Sequence, residues 1–377
     1  LTLILLCSLM FAGQRAWSRV TLPTHFTSNM VLQQKTTLNI HGTARPGSQV
    51  TLVTGWNKKG VSAQASPTDG KFTLTIQTPK GGQKPYTMTF SDGEETTLEN
   101  VLIGEVWLGS GQSNMEMPLK GWGKVLNYEE EIANAKYPMI RLLQVKKRTN
   151  VKPQEQVELT MDGWQECSPQ TVENFSALCY FYALRLWEEL KIPVGVIDDD
   201  WGGTPVEAWT RAEALQYVTG FEEQAGKMIS SGYSPEAMTA YYESIPQEKR
   251  NRNHDVNYYK HATGLFNAMI HPLIEFPVRG IIWYQGCDNV GRAAQYQAAF
   301  QTMITDWRKC WNNPTMPFYF VQLANFLQPS DLQPESQWAL LRESQADALC
   351  LPNTGMVVNI DLGDAKDIHP KTKREVG

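Results

Sequence analysis

The sequence predicts an α/β protein: a three-layer domain built on a parallel sheet, preceded by a small all-β, sandwich-like unit. Three observations predict it. Residues 21–100 run as short alternating segments broken by turn dipeptides, and from Val101 onward continuous apolar strands alternate with helical segments. The composition, 42% apolar and 19% charged over 377 residues with 28 Gly and 12 Trp, is that of a globular chain with room for two or three domains. A disordered, collagenous or coiled-coil chain is excluded on the same grounds.

The chain opens on its only long apolar stretch, Leu1 to Ala12. That is shorter than the roughly 20 residues a membrane-spanning helix needs, and the small-residue pattern Ala16-Trp17-Ser18 follows it. Residues 1–18 are therefore expected to be a secretory signal, the protein secreted or periplasmic, and no transmembrane segment is expected. Without an initiating Met or a basic leader, the sequence is expected to start inside that signal. It is also expected to be truncated at its end, because KTKREVG opens like a helix and stops after one turn.

Residues 19–100 are expected to form the β unit. Ser48 to Val53 and Lys71 to Ile76 alternate polar and apolar residues, and Pro46-Gly47, Asp69-Gly70 and Asp92-Gly93 supply turns at the spacing of an antiparallel sandwich. Such a unit serves either as a packing module or as a glycan binder. Residues 101–377 are expected to form the catalytic-type domain, with strands at Ile103 to Leu108, Ile140 to Val145, Val194 to Ile197, Gly280 to Tyr284, Phe318 to Leu323 and Gly355 to Ile360. Between them, Asn174 is placed to cap a helix whose apolar residues recur at three and four until Pro193 stops it. A second helix covers Arg292 to Trp307. Apolar strands alternating with helices imply a parallel sheet covered on both faces.

Thirty-four basic against 39 acidic residues give a formal charge of -5, with no basic block to neutralise a run of phosphates, so nucleic acid is not an expected partner. Six cysteines show no zinc spacing, and removal of Cys7 with the signal leaves five, an odd and scattered set that reads as mostly buried thiols with room for one bridge and at least one free thiol.

Ligands of open parallel sheets bind beyond the carboxyl ends of the strands. Four loops lie there: Gly109 to Met115, Trp201-Gly202-Gly203-Thr204, Gln285 to Asn289, and Asp361 to Pro370. In the first, Ser113 follows a strand and opens a helix, which suits either an N-cap or an exposed nucleophile. A nucleophile needs a base, and His369, two residues after Asp367, is the best candidate for it. His271 and His254 read as structural, and His25 and His41 belong to the β unit. Gly203 is placed to bring a backbone N–H to an oxyanion, or marks an ordinary strand-to-helix turn. The amide of Gln285 is a further donor, or a buried structural glutamine. Asp198, Asp199 and Asp200 cannot all face one metal ion and read as a solvated strand end.

The blocks GSGQSNMEMPL, WGGTPVEAW, WYQGCDN and DIHPK, in this order, resemble those of the sialate O-acetylesterase family of SGNH-type hydrolases. The likeness spans about Val101 to Lys373, and GTARPGSQV with LENVLIGEVW resembles the region ahead of the catalytic block in bacterial secreted members. The resemblance implies a serine esterase that removes O-acetyl groups from sugars, with 9-O-acetyl sialic acid the first substrate expected. Ser113 is then the nucleophile and His369 the base. The oxyanion is held by the N–H groups of Ser113 and Gly203 and by Gln285. Asp367 is the acid assigned, with Asp364 or a residue beyond Gly377 as the alternatives, because the family's DxxH spacing would place the acid at Lys366. Cys287 stands where the family has Glu after its QG pair. Trp201, Trp209 and Tyr284 are the expected sugar-stacking residues, though aromatic residues near such a site are mostly core. The chemistry requires no metal or organic cofactor, and its partner is an acetylated sugar or glycan. An acetylxylan or other polysaccharide acetylesterase, and a noncatalytic glycan-binding protein, are the rival readings.

Overall fold

The computed structural model describes residues 19–246, 255–332 and 335–377. The expected signal, residues 1–18, and His254 lie outside the described residues. Among the described residues no helix is long and apolar enough to cross a membrane.

The first strands are β1 (Val31–Gln33), β2 (Thr37–Thr43), β3 (Gln49–Thr54), β4 (Asn57–Gln64), β5 (Lys71–Gln77) and β6 (Gly82–Ser91). Alternation in the sequence becomes alternation in burial: every second residue of β3 and of β5 is buried, and those between face solvent. β2 pairs antiparallel with β5 as one small sheet, while β3 pairs antiparallel with both β4 and β6. The β-rich start is therefore as expected, but its separation from the rest is not. Strand β7 (Glu95–Gly111) is 17 residues long and crosses the expected boundary at residue 100 without a linker. Its first part pairs antiparallel with β6, and from Glu105 onward it pairs parallel with strands of the large sheet. Continuity follows from composition, since residues 101–111 are apolar or small apart from Glu105, which is held by Gln33, Gln34 and Arg279, and all are buried.

The larger sheet is completed by β8 (Tyr137–Gln144), β9 (Gln165–Cys167), β10 (Val194–Asp200), β11 (Gly280–Tyr284), β12 (Phe318–Val321) and β13 (Thr354–Val357). The spatial order β13-β12-β11-β7-β10-β8-β9 is parallel throughout except at β9, a short antiparallel edge strand that the sequence pattern does not disclose. The two faces of β7 meet different helices. Trp107 packs edge-on against Tyr182, and a Cβ built on Gly109 would fall 2.2 Å from the Cys179 sulfur, so the helix Ala177–Leu190 covers that face. Opposite it, Trp283 of β11 stacks on Phe300 and meets Trp307 edge-on, both from the helix Ala293–Cys310. Helix, sheet and helix make three layers. Each fully buried large apolar side chain in this core contributes about 1.5–3 kcal/mol.

Ser176, and not Asn174, caps the helix Ala177–Leu190 by accepting from the Cys179 N–H, and Lys191 in a left-handed conformation ends it two residues ahead of Pro193. All five cysteines among the described residues are free thiols; Cys167 and Cys179 are buried, Cys287 and Cys310 half-buried and Cys350 exposed.

Candidate active site

The parallel strands deliver their carboxyl ends to one edge, and the chain turns sharply where β7 stops. Gly111 has φ of +140°, and a Cβ there would lie 2.3 Å from the Tyr284 carbonyl oxygen, so only glycine lets the chain pass between β7 and β11. Gln112 locks the turn: its N–H donates to the Tyr284 carbonyl at 3.0 Å, and its Oε1 accepts from the N–H groups of Gly286 at 2.9 Å and Asp288 at 3.4 Å. It also takes the N-cap position of the four-residue helix Ser113–Glu116. Ser113 is thus the first helical residue and not the cap. Pro118 disfavours helical backbone at Met117 and ends the helix after one turn.

His369 arrives from the loop after β13, and its Nε2 lies 2.9 Å from the Ser113 hydroxyl oxygen across 256 residues of sequence. Burial is the largest influence on its pKa and lowers it; Asp367 pulls upward and Lys373 downward. The imidazole is accordingly neutral near pH 7, as a base must be. Asp367 Oδ1 is 3.5 Å from His369 Nδ1 and also accepts the backbone N–H of His369 at 2.9 Å. Its side chain is half exposed, so it orients the ring from a wet position. Asp364 instead accepts the N–H of Lys366 at 2.7 Å, closing its own turn.

The loop after β10 lies against Ser113, with a Cβ on Gly202 falling 3.2 Å from Ser113 Cβ. Gly202 donates its N–H to the Glu116 carboxylate, which also pairs with Lys147 at 2.5 Å. Gly203 has φ of +70°, the left-handed region that favours glycine. Among the described residues, neither the Ser113 nor the Gly203 N–H donates to another group of the protein.

Gln285 departs from expectation. It is fully buried, and its amide N–H groups go to the Thr204 carbonyl at 3.0 Å and Asn289 Oδ1 at 2.7 Å. Asn289 Oδ1 also accepts the Val206 N–H, and its own amide nitrogen donates to Glu207. Those partners fix both amides, so Gln285 has no donor left for an oxyanion and acts as structural glue between loops.

The aromatic assignments are corrected in the same way. Trp209 is fully buried, with its indole N–H on the Thr204 hydroxyl, and Tyr284 is buried with its hydroxyl accepting from Asn359. Neither can present a face to a sugar. Trp201 is half-buried and stacked on Tyr259, with ring centroids 5.1 Å apart. The exposed aromatic at the site is Trp122, 53% accessible and edge-on to His369 at 5.1 Å. Its flanking glycines, Gly121 and Gly123, were the available signal in the sequence. From Trp122 and Glu116 a cleft of about 470 Å³ runs past Lys146, Lys147, Arg148 and Asp200.

Asp198, Asp199 and Asp200 are not solvated. All three are buried, because β10 lies inside the sheet under helices, and burial raises the pKa of each. Among the described residues no group of three or more His, Cys, Asp or Glu is placed to hold a metal ion.

Residues 245–377 match the family described as "Carbohydrate esterase, sialic acid-specific acetylesterase". Human sialate O-acetylesterase is 28% identical over 98% of this chain and 71% of its own length. The mouse protein of the same name is 27% identical over 94% and 70%. A solved carbohydrate acetylesterase from Xanthomonas citri is 33% identical, covering 95% of this chain and 72% of that one with a TM-score of 0.78. This chain belongs to the sialate O-acetylesterase family of carbohydrate esterases and is a carboxylic ester hydrolase.

Proposed function

We propose that this chain is a secreted serine esterase that removes acetyl groups from sugars, with 9-O-acetyl sialic acid as its substrate. The observation that carries the reading is the pair Ser113 Oγ and His369 Nε2 at 2.9 Å, at the edge of the sheet where ligands of open α/β folds bind. His369 takes the hydroxyl proton as Ser113 attacks the acetyl carbonyl. The N–H groups of Ser113 and Gly203 receive the oxyanion. His369 then protonates the departing sugar oxygen, and water, activated by the same ring, releases acetate from the serine. Asp367 orients the ring and stabilises its charged form.

The cleft supports an anionic sugar. Lys146 and Arg148 share one carboxylate, that of Glu158, at 3.3 and 2.9 Å, so one of these two cations is free to meet a sugar carboxylate, while Lys147 is paired with Glu116 and the buried Asp198 and Asp200 line the same cleft. A sugar carboxylate complements that free cation better than a neutral hydroxyl does. Export is supported by the apolar opening stretch of the sequence.

The test is acetate release from 9-O-acetyl sialic acid and from acetylated xylan, side by side, with Ser113→Ala as control. Faster release from the sialic acid, abolished by the substitution, is expected. Faster release from xylan would move the substrate to a plant polysaccharide. Activity surviving in Ser113→Ala would overturn the mechanism, and no release by the wild type would favour glycan binding without catalysis.

A further inference from the structure

Lys373 is 1% exposed, and among the described residues no carboxylate forms an ion pair with it. Its ammonium rests 5.1 Å above the Tyr284 ring and donates to Asn114 Oδ1 at 2.6 Å. Burying a lysine with so little compensation is costly, which calls for a reason. The reason lies in what Asn114 does with its other end. Its Nδ2 donates to the Ile368 carbonyl at 3.0 Å. A carbonyl can only accept, so Ile368 must face the amide nitrogen, and this turns Oδ1 toward the Lys373 amine. Asn114 follows the nucleophile directly, and Ile368 directly precedes the base.

We propose that Lys373 and Asn114 are positioning residues that clamp the His369 loop onto the Ser113 helix, keeping Nε2 in reach of the nucleophile hydroxyl. Ser113 to Glu116 is a single turn of helix, and the His369 loop is held to it from both sides: by the Nε2 contact at its reacting end and by this amide bridge behind. A second effect is electrostatic. The Lys373 charge opposes protonation of His369, against Asp367 and Glu116, which favour it. The titratable groups that act on Lys373 itself are Cys287 and Asp367, with Tyr284 beneath it. Removing the amine therefore lets His369 hold its proton to higher pH.

The inference rests on the serine-esterase reading, so hydrolysis of 4-nitrophenyl acetate by the full chain is measured first for wild type and Ser113→Ala. An inactive wild type, or an active Ser113→Ala, refutes that reading and the clamp with it. With the reading secure, Lys373→Met and Asn114→Leu are each expected to lower kcat by about 10- to 100-fold, as small misplacements of reacting groups do, with KM changed less than about twofold. The double variant is expected to lose no more than the worse single variant, because the two residues act through one bridge. In Lys373→Met the acid limb of the kcat/KM profile moves to higher pH. Asn114→Asp, which still accepts from Lys373 but cannot donate to the Ile368 carbonyl, is the second probe should a variant melt below assay temperature, and it is expected to lose kcat as Asn114→Leu does. Unchanged kcat in any folded variant, multiplying losses in the double variant, or an acid limb that stays in place would overturn the proposal.

Discussion

Lys373→Met should change how stability depends on pH, and the structure sets both the sign and the size. The amine ordinarily titrates at 10.5, and burial pushes it down to about 7 in the folded protein. The folded state thus favours the neutral amine, while the unfolded chain keeps the proton up to the ordinary value. Between about pH 7 and 10.5 the unfolded state binds more protons, so the wild type gains stability as pH rises through this window and is flat below it. At about 1.4 kcal/mol per pH unit, the whole window is worth about 5 kcal/mol. Methionine removes the titration and keeps most of the volume. Other groups titrate in the same window, so the quantity to follow is the difference between wild type and variant, measured by urea unfolding at intervals from pH 6.5 to 9.5. The variant should be the more stable at pH 6.5, by about 5 kcal/mol less about 1 kcal/mol for the lost hydrogen bond to Asn114. That advantage should shrink by about 3 kcal/mol by pH 9.5. Parallel curves for the two proteins would show that Lys373 is not the desolvated amine described here.

Three further outcomes follow from the geometry. Cys287→Glu puts a carboxylate at a side chain near enough to Lys373 for the titration of each to influence the other, and should flatten the wild-type rise in stability between pH 7 and 9.5; a slope left intact would place the two side chains too far apart to pair. Asp367→Asn should lower kcat with KM nearly unchanged while Asp364→Asn leaves both alone, because only Asp367 reaches the His369 ring; equal effects in steady-state assays would reassign the acid. Gln285→Leu should cost about 1–3 kcal/mol in chemical unfolding, by stripping donors from the buried Thr204 carbonyl and Asn289, yet keep kcat within about threefold; a loss of 100-fold or more in a folded variant would restore Gln285 to the oxyanion.

The fold was largely legible because its signals are periodic. Alternation along Gln49–Thr54 and Lys71–Gln77 and apolar runs at Val194–Asp200 and Gly280–Tyr284 report which face is buried, and burial is what decides strand or helix. What the pattern could not report was that one strand runs straight through the expected boundary. A change from alternating to continuous apolar residues looks the same whether the chain enters a new domain or one strand passes from a half-exposed sheet into a covered one. β7 does the second. The edge strand Gln165–Cys167 was missed because three residues carry no period.

At the site, legibility followed a residue's chemical range. Ser113 and His369, the proposed nucleophile and base, were singled out by four loops taken together, because a serine opening a helix taken alone suits a cap as well as a nucleophile. Glutamine, asparagine, lysine and tryptophan serve packing and chemistry with the same atoms, and only their partners tell the two apart. Gln285 had the right place and the wrong partners: both its donors are spent inside the protein. Trp209 and Tyr284 lie beside the loops but beneath them, while Trp122, outside every expected strand end, reaches the imidazole edge. Lys373 sits in the stretch that reads as the first turn of a helix, where a lysine is ordinarily a solvated residue. The turn that places it also aims it inward at Asn114, and nothing in the local sequence distinguishes an inward lysine from an outward one. A functional assignment for such residues therefore depends on counting each donor and acceptor to its partner: Gln285, with none free, is removed from the chemistry by that count, and Asn114, with one end on the Ile368 carbonyl and the other on Lys373, is brought next to the proposed catalytic pair.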